Sequence, residues 1–106
     1  MSEQQLPGTY TRVRERHTKL AHAIDELGKA VKQEGPINEK NAHLIQLAGA
    51  VANRSEGAVH SHVRQALDAG ADVEEIHHAI ILLTSTIGFP AVMAALSWVE
   101  DLIGDS

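Results

Sequence analysis

Apolar side chains recur every three or four positions along most of the chain, which is the spacing of one face of an α-helix. No stretch alternates between apolar and polar residues as a half-buried strand does. Turn signals divide the pattern into five segments at Gly35-Pro36, Asn53-Arg54, Gly70 and Gly88. We therefore predict an all-α fold, a bundle of about five helices joined by short connections.

The predicted helices take their bounds from capping residues and helix breakers. They run from Thr9 or Thr11 to about Gln33, from Asn38 to about Asn53, from Ser55 to Ala69, from Asp72 to Ile87, and from about Pro90 to Ile103. Asn38, Ser55 and Asp72 are predicted N-caps because their side-chain oxygens can accept from free backbone N–H groups. Residues 1–8 are predicted to be a flexible N-terminus, so that a single domain covers residues 9–106.

The fourth predicted helix is apolar on nearly every side. Its hydrophobic positions are Ala79, Ile80, Ile81, Leu82, Leu83 and Ile87. A helix of this kind needs partners all round, and a chain of 106 residues has few to offer. The pattern therefore favours an interface between copies of the chain.

The amino-acid composition excludes several kinds of reactive site and of binding partner. The chain has no cysteine, which excludes disulfides, thiolate nucleophiles and cysteine metal ligands. It has a net charge of -5, one tryptophan, one tyrosine and one phenylalanine, so nucleic acid is not an expected partner. Apolar runs such as residues 79–83 are too short to cross a membrane. We expect a cytoplasmic protein with neither a nucleic-acid nor a membrane partner.

A histidine lies on the apolar face of the third predicted helix. His62 shares that face with Val59, Val63, Ala66 and Leu67. One interpretation is a core histidine that is satisfied by hydrogen bonds. The other is an acid–base group, because imidazole titrates near neutral pH. The pattern alone leaves both interpretations open.

Three segments occur in an order that resembles a known family. His43–Ala48 stands where that family has Lys-Glu-Leu-Ile-x-Leu-Ala, Ser55–His62 aligns without a gap with Cys-x-x-Cys-x-x-x-His, and Gly88–Ala91 matches a glycine–proline break. The family is that of carboxymuconolactone decarboxylase, and these are its small alkylhydroperoxidase D-like (AhpD-like) members. The resemblance covers roughly residues 38 to 103. It implies an AhpD-like helical bundle that assembles with itself into a hexamer, as a trimer of dimers.

The chain departs from the redox members of that family at the reactive positions. Ser55 and Ala58 replace the two cysteines, and His43 replaces the glutamate of the proton relay. Peroxide reduction by this route needs a sulfur atom that cycles through oxidised states, so thiol peroxidase activity is not expected. The run His62–Leu67 is similar to the decarboxylase branch, whose reaction needs a proton donor and a group that holds an anion.

The candidate site residues are His62, His43, Glu56 and Arg64. His62 is the candidate proton donor, His43 its partner in one pocket, and Arg54 or Arg64 could hold an anion. The expected ligand is a small organic acid, in decarboxylase- or isomerase-like chemistry, with no cofactor.

Two alternatives stay open beside this acid–base site. One is a non-catalytic oligomeric protein that kept the fold. The other is a metal site formed by His43, His60 and His62, which would need a carboxylate such as Glu56, because His60 lies about 200° around the helix from His62.

Overall fold

Residues 8–104 form seven α-helices in a computed structural model of the chain, and these residues include no strand. The helices are α1 (Gly8–Arg16), α2 (Thr18–Gln33), α3 (Glu39–Ala52), α4 (Glu56–Asp68), α5 (Val73–Ile81), α6 (Thr84–Ile87) and α7 (Phe89–Ile103). The all-α prediction is therefore confirmed for the described residues. The helix count is higher than predicted because two of the predicted helices are each divided in two.

The first predicted helix is interrupted at His17, whose φ of -124° and ψ of 67° are not helical. Across this break the guanidinium of Arg14 donates to both carboxylate oxygens of Asp25, at 3.1 and 2.6 Å. In a straight helix, residues eleven apart are separated by about 16 Å along the axis, which is too far for this pair. The bend at His17 therefore brings α1 and α2 together.

The fourth predicted helix is interrupted after Ile81. The amide of Leu83 donates to the carbonyl of Ile80 at 3.0 Å, which is the tighter spacing of a 3₁₀ turn. The hydroxyl of Thr84 donates to the carbonyl of Ile81 at 2.8 Å and so competes with the helical ladder. Periodicity could not reveal this break, since the apolar residues continue through it.

The chain divides into two compact units between Pro36 and Ile37. Helices α1 and α2 belong to the first unit, and α3 to α7 belong to the second. The predicted flexible N-terminus lies outside the described residues, apart from Gly8, which begins α1. A single domain over residues 9–106 stays a prediction.

The second unit has a continuous apolar core. All of its inner helices contribute fully or nearly fully buried side chains: Leu47 and Val51 from α3, Val59, Val63 and Ala66 from α4, Ile76 and Ile80 from α5, and Val92, Ala95 and Val99 from α7. These residues follow the helical spacing seen in the sequence. The core therefore holds α3 and α4 side by side, with α5 and α7 packed against them.

The three predicted N-caps form. Asn38 accepts from the amide of Asn41 at 2.8 Å, and Ser55 accepts from the amide of Ala58 at 3.4 Å. Asp72 forms a capping box with Glu75, in which each side chain accepts from the other residue's backbone amide. These caps set where α3, α4 and α5 begin, and so fix the rotational position of the histidines that α3 and α4 carry.

Candidate functional site

His43 on α3 and His62 on α4 face each other. Their Nδ1 atoms lie 3.3 Å apart, and their ring centroids lie 5.5 Å apart with the planes tilted by 40°. His43 is 2% exposed and is the one buried polar or charged side chain of residues 8–104, whereas His62 is half-buried. Two histidines that lie 19 residues apart in the sequence thus form one imidazole pair, with its more accessible side at His62.

The contact between two Nδ1 atoms restricts the protonation of the pair. For a hydrogen bond to form, one Nδ1 must carry a proton and donate while the other accepts. Two imidazolium rings would direct N–H groups at each other and would place like charges in contact, which is unfavourable. The pair is therefore suited to hold one additional proton, and it can pass that proton between the two rings.

A carboxylate lies near the buried member of the pair. Glu39 Oε2 is 3.8 Å from His43 Nε2, and Glu39 is exposed. The contact is weak, because water screens an exposed carboxylate strongly. Glu39 was not among the residues predicted for the site. The signal that could have identified it is its position four residues before His43 on the same helix.

Glu56 and Arg64 lie on a different line of α4 from His62. The positions of Glu56, His60 and Arg64 are four residues apart, so they share one face of the helix. His60 identifies this face, because its Nε2 is 3.0 Å from the carbonyl oxygen of Trp98 on α7 and 3.9 Å from Glu56 Oε2. The helical period places this line on the other side of α4 from the histidine pair.

Arg64 carries a buried donor. Its Nη1 atom is inaccessible to solvent and has no hydrogen-bond partner among the described residues. A buried guanidinium N–H group without a partner costs free energy, and an anionic oxygen would satisfy it. By the helical period the Cα of Arg64 lies about 200° around α4 from that of His62, and the place of Arg64 in the site stays a prediction.

The three-histidine metal site suggested from the sequence does not form. His60 is directed to the carbonyl of Trp98, away from His43 and His62. Within residues 8–104, no three histidine, cysteine, aspartate or glutamate side chains are grouped closely enough to hold a metal ion. His60 and His62 lie about 200° apart around α4, so no rotation of that helix directs both rings at His43.

Across residues 8–104, no helix combines the length and the apolar character that crossing a bilayer requires.

Two comparisons with known proteins point to the same family. The family model "Carboxymuconolactone decarboxylase family" matches residues 18–101. The fold is similar to the crystal structure of an apo carboxymuconolactone decarboxylase family protein from Legionella pneumophila, with a TM-score of 0.74 and 23% sequence identity, covering 90% of this chain and 85% of that one. A comparison with curated proteins found no significant match. The family model spans most of the sequence, and the chain belongs to the carboxymuconolactone decarboxylase family.

Proposed function

We propose that this cysteine-free family member uses its His43–His62 pair to bind a small organic acid and to transfer a proton to or from it. The observation that carries the proposal is the 3.3 Å separation of the two Nδ1 atoms, one of them on a buried ring. A buried imidazole in contact with a second, half-buried imidazole is a candidate functional site.

The two rings have different roles in this proposal. His62 is the catalytic residue, because it is the more accessible ring and can meet a ligand. His43 is a positioning residue that fixes which nitrogen of His62 carries the proton. It replaces the family's relay glutamate by hydrogen bonding alone, since a neutral imidazole brings no negative charge.

In a decarboxylation, the bond between the carboxylate carbon and the adjacent substrate carbon breaks. Carbon dioxide leaves, and the electron pair remains on the substrate as an enolate. The protonated pair then delivers a proton from His62 to that carbon and becomes neutral. Solvent returns the proton to the pair, so no oxidant or reductant is required.

The protonated pair also supplies a cation for the carboxylate of the ligand. In this proposal the pair, and not Arg64, holds the ligand carboxylate, because the helical period puts Arg64 on the other side of α4. Binding of an organic anion should therefore weaken as the pair loses its proton. Peroxide reduction has no place in this scheme, because the chain has no cysteine.

The test uses a panel of unsaturated lactone acids and keto acids. Binding is measured as a rise in the melting temperature of the protein, and turnover as release of carbon dioxide. His62→Gln should abolish the response. His60→Gln is the matched control, because it makes the same change on the same helix in a half-buried residue that faces Trp98. If no acid of the panel changes the melting temperature or is turned over, the proposal is wrong.

A second candidate function is a non-catalytic oligomeric protein. It is favoured by the many large apolar side chains that a single copy leaves half or more exposed, among them Leu27, Leu82 and Phe89. Self-association, as the hexamer that family resemblance implies, belongs to this proposal. Under it, His62→Gln leaves the oligomeric state unchanged, and none of the panel binds.

A further inference from the structure

The two rings of the histidine pair can carry their protons in two arrangements. Their Nδ1 atoms lie 3.3 Å apart, so in the neutral pair one Nδ1 donates and the other accepts. In the first arrangement His43 carries its proton on Nε2 and His62 carries its proton on Nδ1. In the second arrangement these positions are exchanged. The difference matters to a ligand, because Nε2 of His62 is unprotonated in the first arrangement and protonated in the second.

A carboxylate at the other edge of His43 distinguishes the two arrangements. Oε2 of Glu39 lies 3.8 Å from Nε2 of His43, whose side chain is 2% exposed. In the first arrangement this nitrogen carries a hydrogen that is attracted to the carboxylate. In the second arrangement its lone pair faces the negative charge, which is unfavourable. Glu39 therefore favours the first arrangement.

The start of α3 keeps Glu39 near this nitrogen. Glu39 is the first residue of the helix and lies one turn before His43, so the two side chains share one line. The next residue, Lys40, donates to Glu75 on α5 at 2.9 Å and is directed to that carboxylate instead. The Glu39 side chain is 70% exposed, and its rotation can shorten the 3.8 Å separation to hydrogen-bond length.

We propose that Glu39 is a positioning residue that sets the tautomers of both rings, so that Nε2 of His62 is the basic atom of the neutral pair. A weak contact is sufficient for this role. Each arrangement contains one Nδ1–H ring and one Nε2–H ring, so the intrinsic preferences of imidazole cancel. A contribution typical of an exposed charge contact then favours one arrangement by about threefold.

The chemical consequence of this inference rests on the proposed acid–base function. An unprotonated Nε2 of His62 can remove a proton from a carbon that the carbonyl group of an organic acid makes acidic. The C–H bond breaks, its electron pair remains on the substrate as an enolate, and the proton forms an N–H bond on His62. Return of that proton to another carbon of a conjugated enolate completes an isomerisation without oxidant or reductant. The neutral pair is therefore suited to isomerase-like chemistry, and the protonated pair to donating a proton.

Nitrogen-15 spectra of histidine-labelled protein test the tautomers, because protonated and unprotonated ring nitrogens have well-separated shifts. The spectra are recorded without any ligand, at a pH above which the shifts no longer change. In the unchanged protein, His62 should be protonated mainly on Nδ1 and His43 mainly on Nε2. Glu39→Met removes the carboxylate and should lower the ratio of the first arrangement to the second by about threefold. Glu39→Lys places a donor there and should make the second arrangement predominate.

Glu56→Met is the matched control. It removes another glutamate that lies four residues before a histidine, at 3.9 Å from His60 Nε2, and should leave the tautomers of the pair unchanged. Three results would overturn the proposal: His62 protonated mainly on Nε2 in the unchanged protein, a ratio that both Glu39 variants leave unchanged, or an equal change in Glu56→Met. No organic acid is added, so these results are separate from a failure of the proposed function, in which none of the acid panel binds or is turned over.

Discussion

The two units use the same helical pattern of apolar residues and reach opposite degrees of burial. In residues 37–104, the patterned side chains of four helices enclose one another, and Leu47, Val63 and Ile80 have no solvent exposure. In residues 8–36, Ala21 is the one buried side chain, and the larger residues on α2 are half exposed. Periodicity determines which face of a helix is apolar, but it does not determine whether the chain itself covers that face.

This difference has a practical consequence for stability. A substitution at a buried position of the second unit should lower the free energy of unfolding, whereas a substitution at an exposed apolar position of α2 should change it much less. Denaturation under dilute conditions measures both effects.

The largest contrast is between two isoleucines that receive the same change. Ile80→Ala removes fully buried methylene groups and should lower the free energy of unfolding by about 3 kcal/mol. Ile24→Ala, at a 53% exposed site, should lower it by less than about 0.5 kcal/mol under dilute conditions. Urea denaturation of the two variants measures both values. Equal losses would mean that α2 is buried in the single copy and that the contrast is wrong.

Two glycines should respond to alanine in opposite directions. Gly88 has a φ of 99° and a ψ of 153°, which side chains rarely adopt, so Gly88→Ala should destabilise by about 1–3 kcal/mol. Gly28 lies inside α2, and an added Cβ meets only Lys32 Nζ at 3.8 Å, so Gly28→Ala should stabilise by about 0.5–1 kcal/mol. Thermal unfolding should therefore show a lower melting temperature for the first variant and a higher one for the second.

The N-cap of α5 in the second unit should contribute more to stability than the N-cap of α2 in the first unit. Asp72 forms a complete capping box on α5, and Asp72→Ala should cost about 1 kcal/mol. His17 precedes α2 and makes no side-chain cap, so His17→Ala removes no capping bond and should change stability much less. Urea denaturation of each variant provides the measurement. A loss of similar size at both positions would contradict the contrast.

The smallest expected effect is a loss of stability at acidic pH, to which one ion pair in each unit contributes. The hydrogen bond from Lys40 lowers the pKa of Glu75, and the hydrogen bonds from Arg14 lower the pKa of Asp25. A carboxyl whose pKa is lowered by folding stabilises the protein above its ordinary pKa and loses that contribution as the pH falls through the folded value. Melting temperature should therefore decline below about pH 4.5, the ordinary value for Glu75. Lys40→Met should reduce that decline. Lys29→Met, at a weaker exposed pair that makes only a minor contribution to the lowered pKa of Asp25, should reduce it less.

Much of the fold could be predicted from local signals. The caps at Asn38, Ser55 and Asp72 and the break at Gly88 depend on side-chain and backbone preferences that act within one turn. The breaks at His17 and after Ile81 depend on contacts and on competition for a carbonyl, which periodicity does not report. The sequence therefore predicts the helical class well and the helix count less well.

From the sequence, the pairing of His43 with His62 is the part of the candidate site that could be predicted. Family resemblance places His43 and His62 around one pocket, and the structure brings their Nδ1 atoms to 3.3 Å. Glu56 and Arg64 were predicted beside them. The helical period puts both on another face of α4 from His62, and their place in the site stays a prediction. The approach of Glu39 to His43 depends on a long flexible side chain, and the motif comparison did not point to it.

The most direct test of the proposed acid–base site follows the imidazole nitrogens themselves. Nitrogen-15 spectra of histidine-labelled protein are recorded while an unsaturated lactone acid is added, with His60 as the internal reference. We predict that the nitrogen shifts of His43 and His62 move together and saturate, that His60 stays constant, and that His62→Gln removes the response. Nitrogen shifts of the pair that remain unchanged across the whole panel of acids would contradict the account.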